Sequence, residues 1–213
     1  MNKTVAVNGM GWVSDKAFGT SRQELGTLVS KQGVKLPDRK LLFDEEVVNF
    51  RRFDYESKLS CSLIALALRD AGVKAREKKE ETGIIGFGRY GSNVSDKDYY
   101  SDFLKFGEKT GRGHVFIYTL PTSPLAESSI YFRLMGPLYY LSKESNMLHQ
   151  SLESAVRLIM SGEADNMLVG SVEDFPFYIL IGEQRKNSIC LVDDLKHIKT
   201  NEELVSRIRS SDQ

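Results

Sequence analysis

The chain has 213 residues, 41% hydrophobic and 27% charged, a balance that suits one folded domain over residues 1–213 and excludes a disordered or fibrous chain. Its 29 basic residues cancel its 29 acidic ones, which argues against a surface attracted as a whole to nucleic acid or anionic lipid. The longest apolar run, Cys61 to Leu68, falls well short of the ~18 residues that span a bilayer, and no signal-peptide pattern follows Met1, so a cytoplasmic protein without a membrane partner is expected.

Lys3 to Asn8 is a β-branched run followed by Gly9-Met10-Gly11, which predicts a buried, central first strand closed by a tight turn. Between Ser57 and Ala71, Leu59, Leu63, Ile64, Ala67 and Leu68 keep the helical period. Cys61, Ala65 and Leu66 make the opposite face apolar, so this helix is expected to be buried on both sides and to end at Gly72. Lys74 to Glu81 reads as a solvated connector. Thr82 to Phe87 predicts a second buried strand, and the polar stretch 95–113 a loop or short helix. Ser123-Pro124 offers an N-cap with proline behind it, predicting a helix over 124–134 closed by Gly136-Pro137.

Leu138 to Ser142 is a third strand. Leu152, Ala155, Val156, Ile159 and Met160 then form an amphipathic stripe ending at Gly162. Asn166 to Ser171 and Phe177 to Gly182 predict strands, with Ser188 to Val192 pairing to the latter across the turn at Gln184 to Asn187. Leu204, Val205 and Ile208 suggest a short surface helix after Asn201. Alternating strands and helices imply an α/β domain with a largely parallel sheet. Cys61 and Cys190 lack CxxC spacing and His114, His149 and His197 are scattered, so neither a disulfide nor a metal centre is expected.

Gly86 to Gly91 matches G-x-G-x-x-G, the pattern in which backbone amides approach a pyrophosphate at a helix N-terminus. The turn-rich Ser92 to Asp98 offers no helix behind it, and the strand is the second of the chain. A glycine-rich turn without a cofactor is the preferred reading, with nucleotide binding as a third functional option.

The stretch from Gly136-Pro137 through Ser161-Gly162-Glu163-Ala164-Asp165 to Met167-Leu168-Val169-Gly170-Ser171-Val172-Glu173 resembles the ketosynthase branch of the thiolase-like proteins. In that family a Gly-Pro opens a strand, the active-site cysteine sits at the turn into a buried helix, and a strand closing in Glu follows. Val5 to Ser14 looks like the family's opening strand and loop, Ser57 to Gly72 like its first buried helix, and Gly83 to Gly88 like its second strand. The resemblance implies a thiolase-like half-fold: a mostly parallel five-stranded sheet, helices on both faces and a C-terminal antiparallel hairpin.

Counted from Gly136-Pro137, the family's cysteine position falls on Ser145, and Lys143, Glu144, Asn146 and Met147 replace the small residues usual around it. The family's second half, which carries the histidines that polarise the thioester, has no counterpart. The resemblance therefore implies a non-condensing, ketosynthase-like subunit of a fatty-acid or polyketide type pathway, a structural or chain-length partner of an active ketosynthase. The enzymatic alternative is a serine acyltransferase or thioester hydrolase. Ser145 would be its nucleophile and His149, about 5–6 Å away on the same helical face, its base. Otherwise Ser145 caps the 147–162 helix.

Leu138, Tyr139, Tyr140 and Leu141 are consecutively apolar, and in the family this strand pairs antiparallel with its mate across a two-fold axis. A homodimer, or a heterodimer with a full-length ketosynthase, is expected at this strand, helped by apolar surface that the missing half would cover. Arg51-Arg52 beside Phe50 and Phe53, with Lys105 to Arg112, could offer a basic patch to an acidic acyl carrier protein. Tyr131, Phe132, Tyr139 and Tyr140 suit an acyl cavity or, more simply, core and subunit contacts.

Overall fold

The computed structural model describes residues 4–27, 36–43, 47–74, 76–77, 79–107, 113–142 and 145–211. Three strands, β1 (Val5–Val13), β2 (Ala17–Thr20) and β3 (Glu24–Thr27), come first, then α1 (Arg39–Leu42), α2 (Tyr55–Asp70) and β4 (Thr82–Phe87). The helices α3 (Asn93–Phe106), α4 (Gly113–Phe116) and α5 (Ser123–Phe132) precede β5 (Leu138–Leu141) and α6 (Met147–Ser161). The chain continues through β6 (Asn166–Ser171), β7 (Phe177–Glu183), β8 (Cys190–Leu191) and α7 (Asn201–Ser211).

Among the described residues eight strands form one sheet in the order β3-β2-β1-β7-β6-β4-β5, with β8 added beside β1. Only the β4–β5 and β4–β6 pairs are parallel; β6–β7, β7–β1, β1–β2, β2–β3 and β1–β8 are antiparallel. The sheet is thus mixed rather than mostly parallel and five-stranded. Short connections decide this, since the few residues between β6 and β7, or between β1 and β2, are too few for a crossover and can only join antiparallel strands. The expected hairpin of residues 188–192 with β7 does not form. Both edges of β7 are occupied by β6 and β1, and β8 pairs with β1 through Ala6–Leu191 and Val7–Cys190.

Gly9-Met10-Gly11 is not a turn. β1 runs through it to Val13, with a register shift against β7 between Val7 and Gly9. This bulge inserts one residue and so lets Val5 and Val7 before it, and Met10 and Trp12 after it, share one face of the sheet. On the other face the glycines admit α2. A Cβ on Gly9 would lie 2.6 Å from the Ala71 nitrogen, and one on Gly11 2.5 Å from the Leu66 Cβ.

Side chains alternate between two cores. Ile85, Met167, Val169, Ile179 and Ile181 meet α6 and α7 on one face; Ile84, Leu168, Tyr178 and Leu180 meet α2 and α5 on the other. α2 is buried nearly all round, as its pattern predicts, and Asp54 caps it by accepting from the Ser57 N–H at 2.8 Å. α5 starts at Ser123, whose hydroxyl donates to the Ile117 carbonyl instead of capping the helix. α6 ends at Gly162 in a left-handed conformation (φ 80°), as expected. Of the stretch expected to be a loop or a short helix, residues 93–106 form a helix of 14 residues. Among the described residues no helix is long and apolar enough to cross a membrane.

Candidate functional site

Strand β5 delivers the chain to the turn that precedes α6, at the C-terminal end of the parallel strands. Asn146 takes a left-handed conformation there (φ 60°), which asparagine tolerates better than most residues, and no side chain caps the first turn of α6. Ser145 is exposed and is not the helix cap. The first buried hydroxyl of α6 is Ser151, which donates to the Met147 carbonyl at 2.7 Å.

Ser145 and half-buried His149 line one cleft of about 850 Å³, closed on its far side by Lys196, His197, Lys199 and Asn201. Phe175, Met147 and Leu148 give it an apolar floor. Among the described residues no hydrogen bond joins Ser145 to His149. A second recess of about 740 Å³ continues along α6 and shares Asn146, His149 and Lys196. Sequence spacing scattered the histidines, whereas the fold brings His149 and His197 to the same cleft. No local pattern announces this, because His197 arrives on the segment between β8 and α7. Chemically the cleft offers the Ser145 and Thr200 hydroxyls, two imidazoles, two ammonium groups and the Asp174 and Glu202 carboxylates beside apolar Met147, Leu148 and Phe175. Among the described residues no cluster of His, Cys, Asp or Glu is placed to hold a metal ion.

The glycine-rich loop is engaged internally. The Glu173 carboxylate accepts the backbone N–H groups of Arg89, Tyr90 and Gly91 at 2.7, 2.9 and 3.1 Å. These are the amides a phosphate would need, so the nucleotide reading loses its physical basis even though α3 does begin just beyond the loop. Gly88 is required for this approach, since a Cβ there would lie 2.6 Å from the Glu173 Cδ. Glu56 sits close by. Burial, then the negative charges of Asp54, Glu173 and Asp96, push its carboxyl up to about 7. Tyr140 on β5 shares the cluster: burial first, then Glu173, raises its hydroxyl.

β5 lies at the open edge of the sheet, paired on one side only by β4. Tyr139 points outward with 47% of its surface exposed, while Leu138, Tyr140 and Leu141 are half-buried. Large apolar side chains are also exposed on other elements: Tyr100 and Leu104 of α3, Phe116 of α4, Leu120, and Ile130 of α5. α6 turns outward an exposed Glu153–Arg157 ion pair (3.6 Å), and α7 lays Leu204, Val205 and Ile208 on the sheet. Phe50, Phe53 and Phe132 are core residues; Arg51, Arg52 and Lys105 are exposed, and 108–112 lie outside the described residues.

The two-layered helical cover and the strand, turn and helix around Ser145 define an α/β domain of thiolase-like class. The family model "Beta-ketoacyl synthase, N-terminal domain" matches residues 2–185, and the chain belongs to the beta-ketoacyl synthase family. Among solved structures it is similar to the ishigamide ketosynthase/chain length factor, at 16% identity and TM-score 0.63 over 88% of this chain and 64% of that one. It is likewise similar to the ketosynthase ApeO in complex with its chain length factor ApeC from Xenorhabdus doucetiae, at 13% identity and TM-score 0.60 over 87% and 81%. A third is a type II PKS acyl-carrier protein in complex with its ketosynthase, at 16% identity and TM-score 0.65 over 86% and 64%. These likenesses are of fold, and the chain spans less than two thirds of the first and third structures. No curated protein matches it. The segment carrying Lys196, His197 and α7 lies beyond the residues that the family model covers.

Proposed function

We propose that this protein is a ketosynthase-like, non-condensing subunit of a fatty-acid or polyketide type pathway in the cytoplasm, a structural or chain-length partner of an active ketosynthase. The observation that carries the reading is the turn before α6. Where the family resemblance places a nucleophilic cysteine stands an exposed Ser145, and among the described residues no base is hydrogen-bonded to it. A serine hydroxyl without an engaged base is a poor nucleophile at neutral pH. Two of the structural relatives, a ketosynthase with its chain length factor and a ketosynthase with its carrier protein, support the partner assignment. The unpaired edge of β5 supplies the means, because its free backbone groups suit an antiparallel mate, either a second copy or a full-length ketosynthase. Exposed Arg51 and Arg52 suit contact with an acidic carrier protein.

Incubation with malonyl- and acyl-carrier-protein substrates tests the reading directly. No carbon dioxide above a protein-free control is expected, from the wild type or from Ser145→Cys. Release that Ser145→Ala abolishes would overturn it. A second reading, a serine acyltransferase or thioester hydrolase built on Ser145 and His149, is favoured by one observation: both line a cleft that also contains His197. Stoichiometric acylation of Ser145 by a fluorophosphonate or an acyl thioester would establish it in place of the first.

A further inference from the structure

Helix α3 carries its apolar stripe on the side away from the body of the protein. Among its 14 residues only Ser95 is buried. The Ser95 hydroxyl donates to Asp54 Oδ2 at 2.8 Å, and the Tyr99 ring, one turn on, meets the Phe116 ring of α4 at 5.4 Å, so these two positions fix the face that looks inward. Helical spacing then turns Tyr100, Phe103 and Leu104, at i, i+3 and i+4, onto one outer stripe. They are 60, 38 and 67% exposed. A surface helix normally shows the reverse arrangement, and isolated helices shorter than ~12–15 residues are marginal in water. Phe116, with Ile117 and Leu120 after it in the chain, adds further exposed apolar area.

These side chains present on the order of 650 Å² of accessible surface, more than the largest apolar patch of a typical monomer and close to the ~800 Å² that each partner contributes to a standard interface. A second copy of this chain is the occupant that fits. Tyr100, Phe103 and Leu104 are uncharged and repeat at helical spacing, so a two-fold axis sets the stripe against itself without burying a charge. α3 bears Asp96, Asp98 and Asp102 against Lys97 and Lys105, a balance that attracts neither an anionic lipid surface nor an acidic helix. Residues 108–112, which follow the helix, carry no large apolar side chain with which to cover it. We propose that α3, through Tyr100, Phe103 and Leu104, is buried against the same helix of a second copy in a two-fold contact. The loop that leads into α3 lies on β5, a Cβ on Gly91 falling 3.9 Å from Tyr140 Cε1, so one interface can include both elements. The contact is independent of the ketosynthase-like reading and of any role for Ser145.

Sedimentation of the full chain across the micromolar range, with hydrogen exchange of α3 at its low and high ends, tests this. The expected result is a reversible dimer in which the amides of residues 93–106 gain protection as concentration rises. Its dissociation constant should be at least tenfold weaker in Leu104→Asp and in Tyr100→Asp, with circular dichroism like that of wild type. Exchange in the wild type needs no variant and decides the matter should either aspartate disturb the fold. A monomer throughout the range would overturn the proposal. So would protection that does not depend on concentration, which places the cover within the chain itself. A dimer weakened by Tyr139→Asp but not by folded Leu104→Asp would also overturn it, while leaving assembly at β5 standing. Carbon dioxide release bears on Ser145 alone, so the two proposals fail separately.

Discussion

The Glu173 carboxylate replaces water at three backbone N–H groups at once. Hydrogen bonds to a charged group contribute about 1.5–3 kcal/mol each, less where solvent reaches them. Glu173→Gln keeps the shape but removes the charge and one acceptor, and is expected to cost about 2–3 kcal/mol in a urea titration. Amide exchange at Arg89, Tyr90 and Gly91 should accelerate together. Glu56 gives the opposite sign. Its carboxyl is raised to about 7, so the folded chain holds a proton that the unfolded chain releases at ordinary carboxylate pKa. That contribution is fully present below the unfolded value and is lost as pH rises through about 7. Wild type is therefore expected to lose about 1–2 kcal/mol between pH 5 and 8, after discounting for solvent screening, and Glu56→Gln to flatten that slope. Ser145→Ala removes no cap and is expected to change stability by less than ~0.5 kcal/mol; a larger loss in thermal unfolding would contradict the exposed placement.

Among the elements, periodicity located what local sequence controls. Thr82–Phe87 and Asn166–Ser171 are strands with the expected bounds, and α2 and α6 lie within two residues of theirs, because burial on both faces or on one stripe leaves its mark in neighbouring residues. What failed depended on distant partners. Gly9 and Gly11 resemble turn residues until α2 is seen resting on them, and β2 and β3 are too short and glycine-bearing to show alternation. The mate of β8 and the meeting of His149 with His197 are set by topology. Residues 93–106 carry a helix whose one buried residue is Ser95, so no apolar stripe marked it. Gly11→Ala tests the close approach: its methyl must displace Leu66 and the α2 backbone, at an expected cost of about 1–3 kcal/mol in chemical denaturation.

For the molecule as a whole, the outward face of β5 matters most. Tyr139, rather than Tyr140, is the side chain to charge, since Tyr140 is tied into the carboxylate cluster around Glu173. Tyr139→Asp is expected to weaken self-association or partner capture at least tenfold by light scattering or sedimentation while leaving the melting temperature near wild type. A charge added in the Lys74 to Glu81 connector should change neither. A wild type that stays monomeric at micromolar concentration and retains no ketosynthase would refute assembly through this edge.

The position of β1 has a consequence for how the protein is made. β1 leaves the ribosome well before β7 and β8, which must pair with it, and that pairing closes loops of about 170 residues, an entropic cost that must be met before those contacts stabilise anything. Until the last strands emerge, β1 can pair only with β2 through Gly11 to Val13, and Val5, Val7 and Met10 lack the strands that flank them. Nascent chains should therefore lean on holding chaperones, and soluble yield should rise when translation is slowed by cooling. Refolding from denaturant is expected in milliseconds to seconds rather than microseconds, with Trp12 fluorescence reporting the late closure of the sheet's centre.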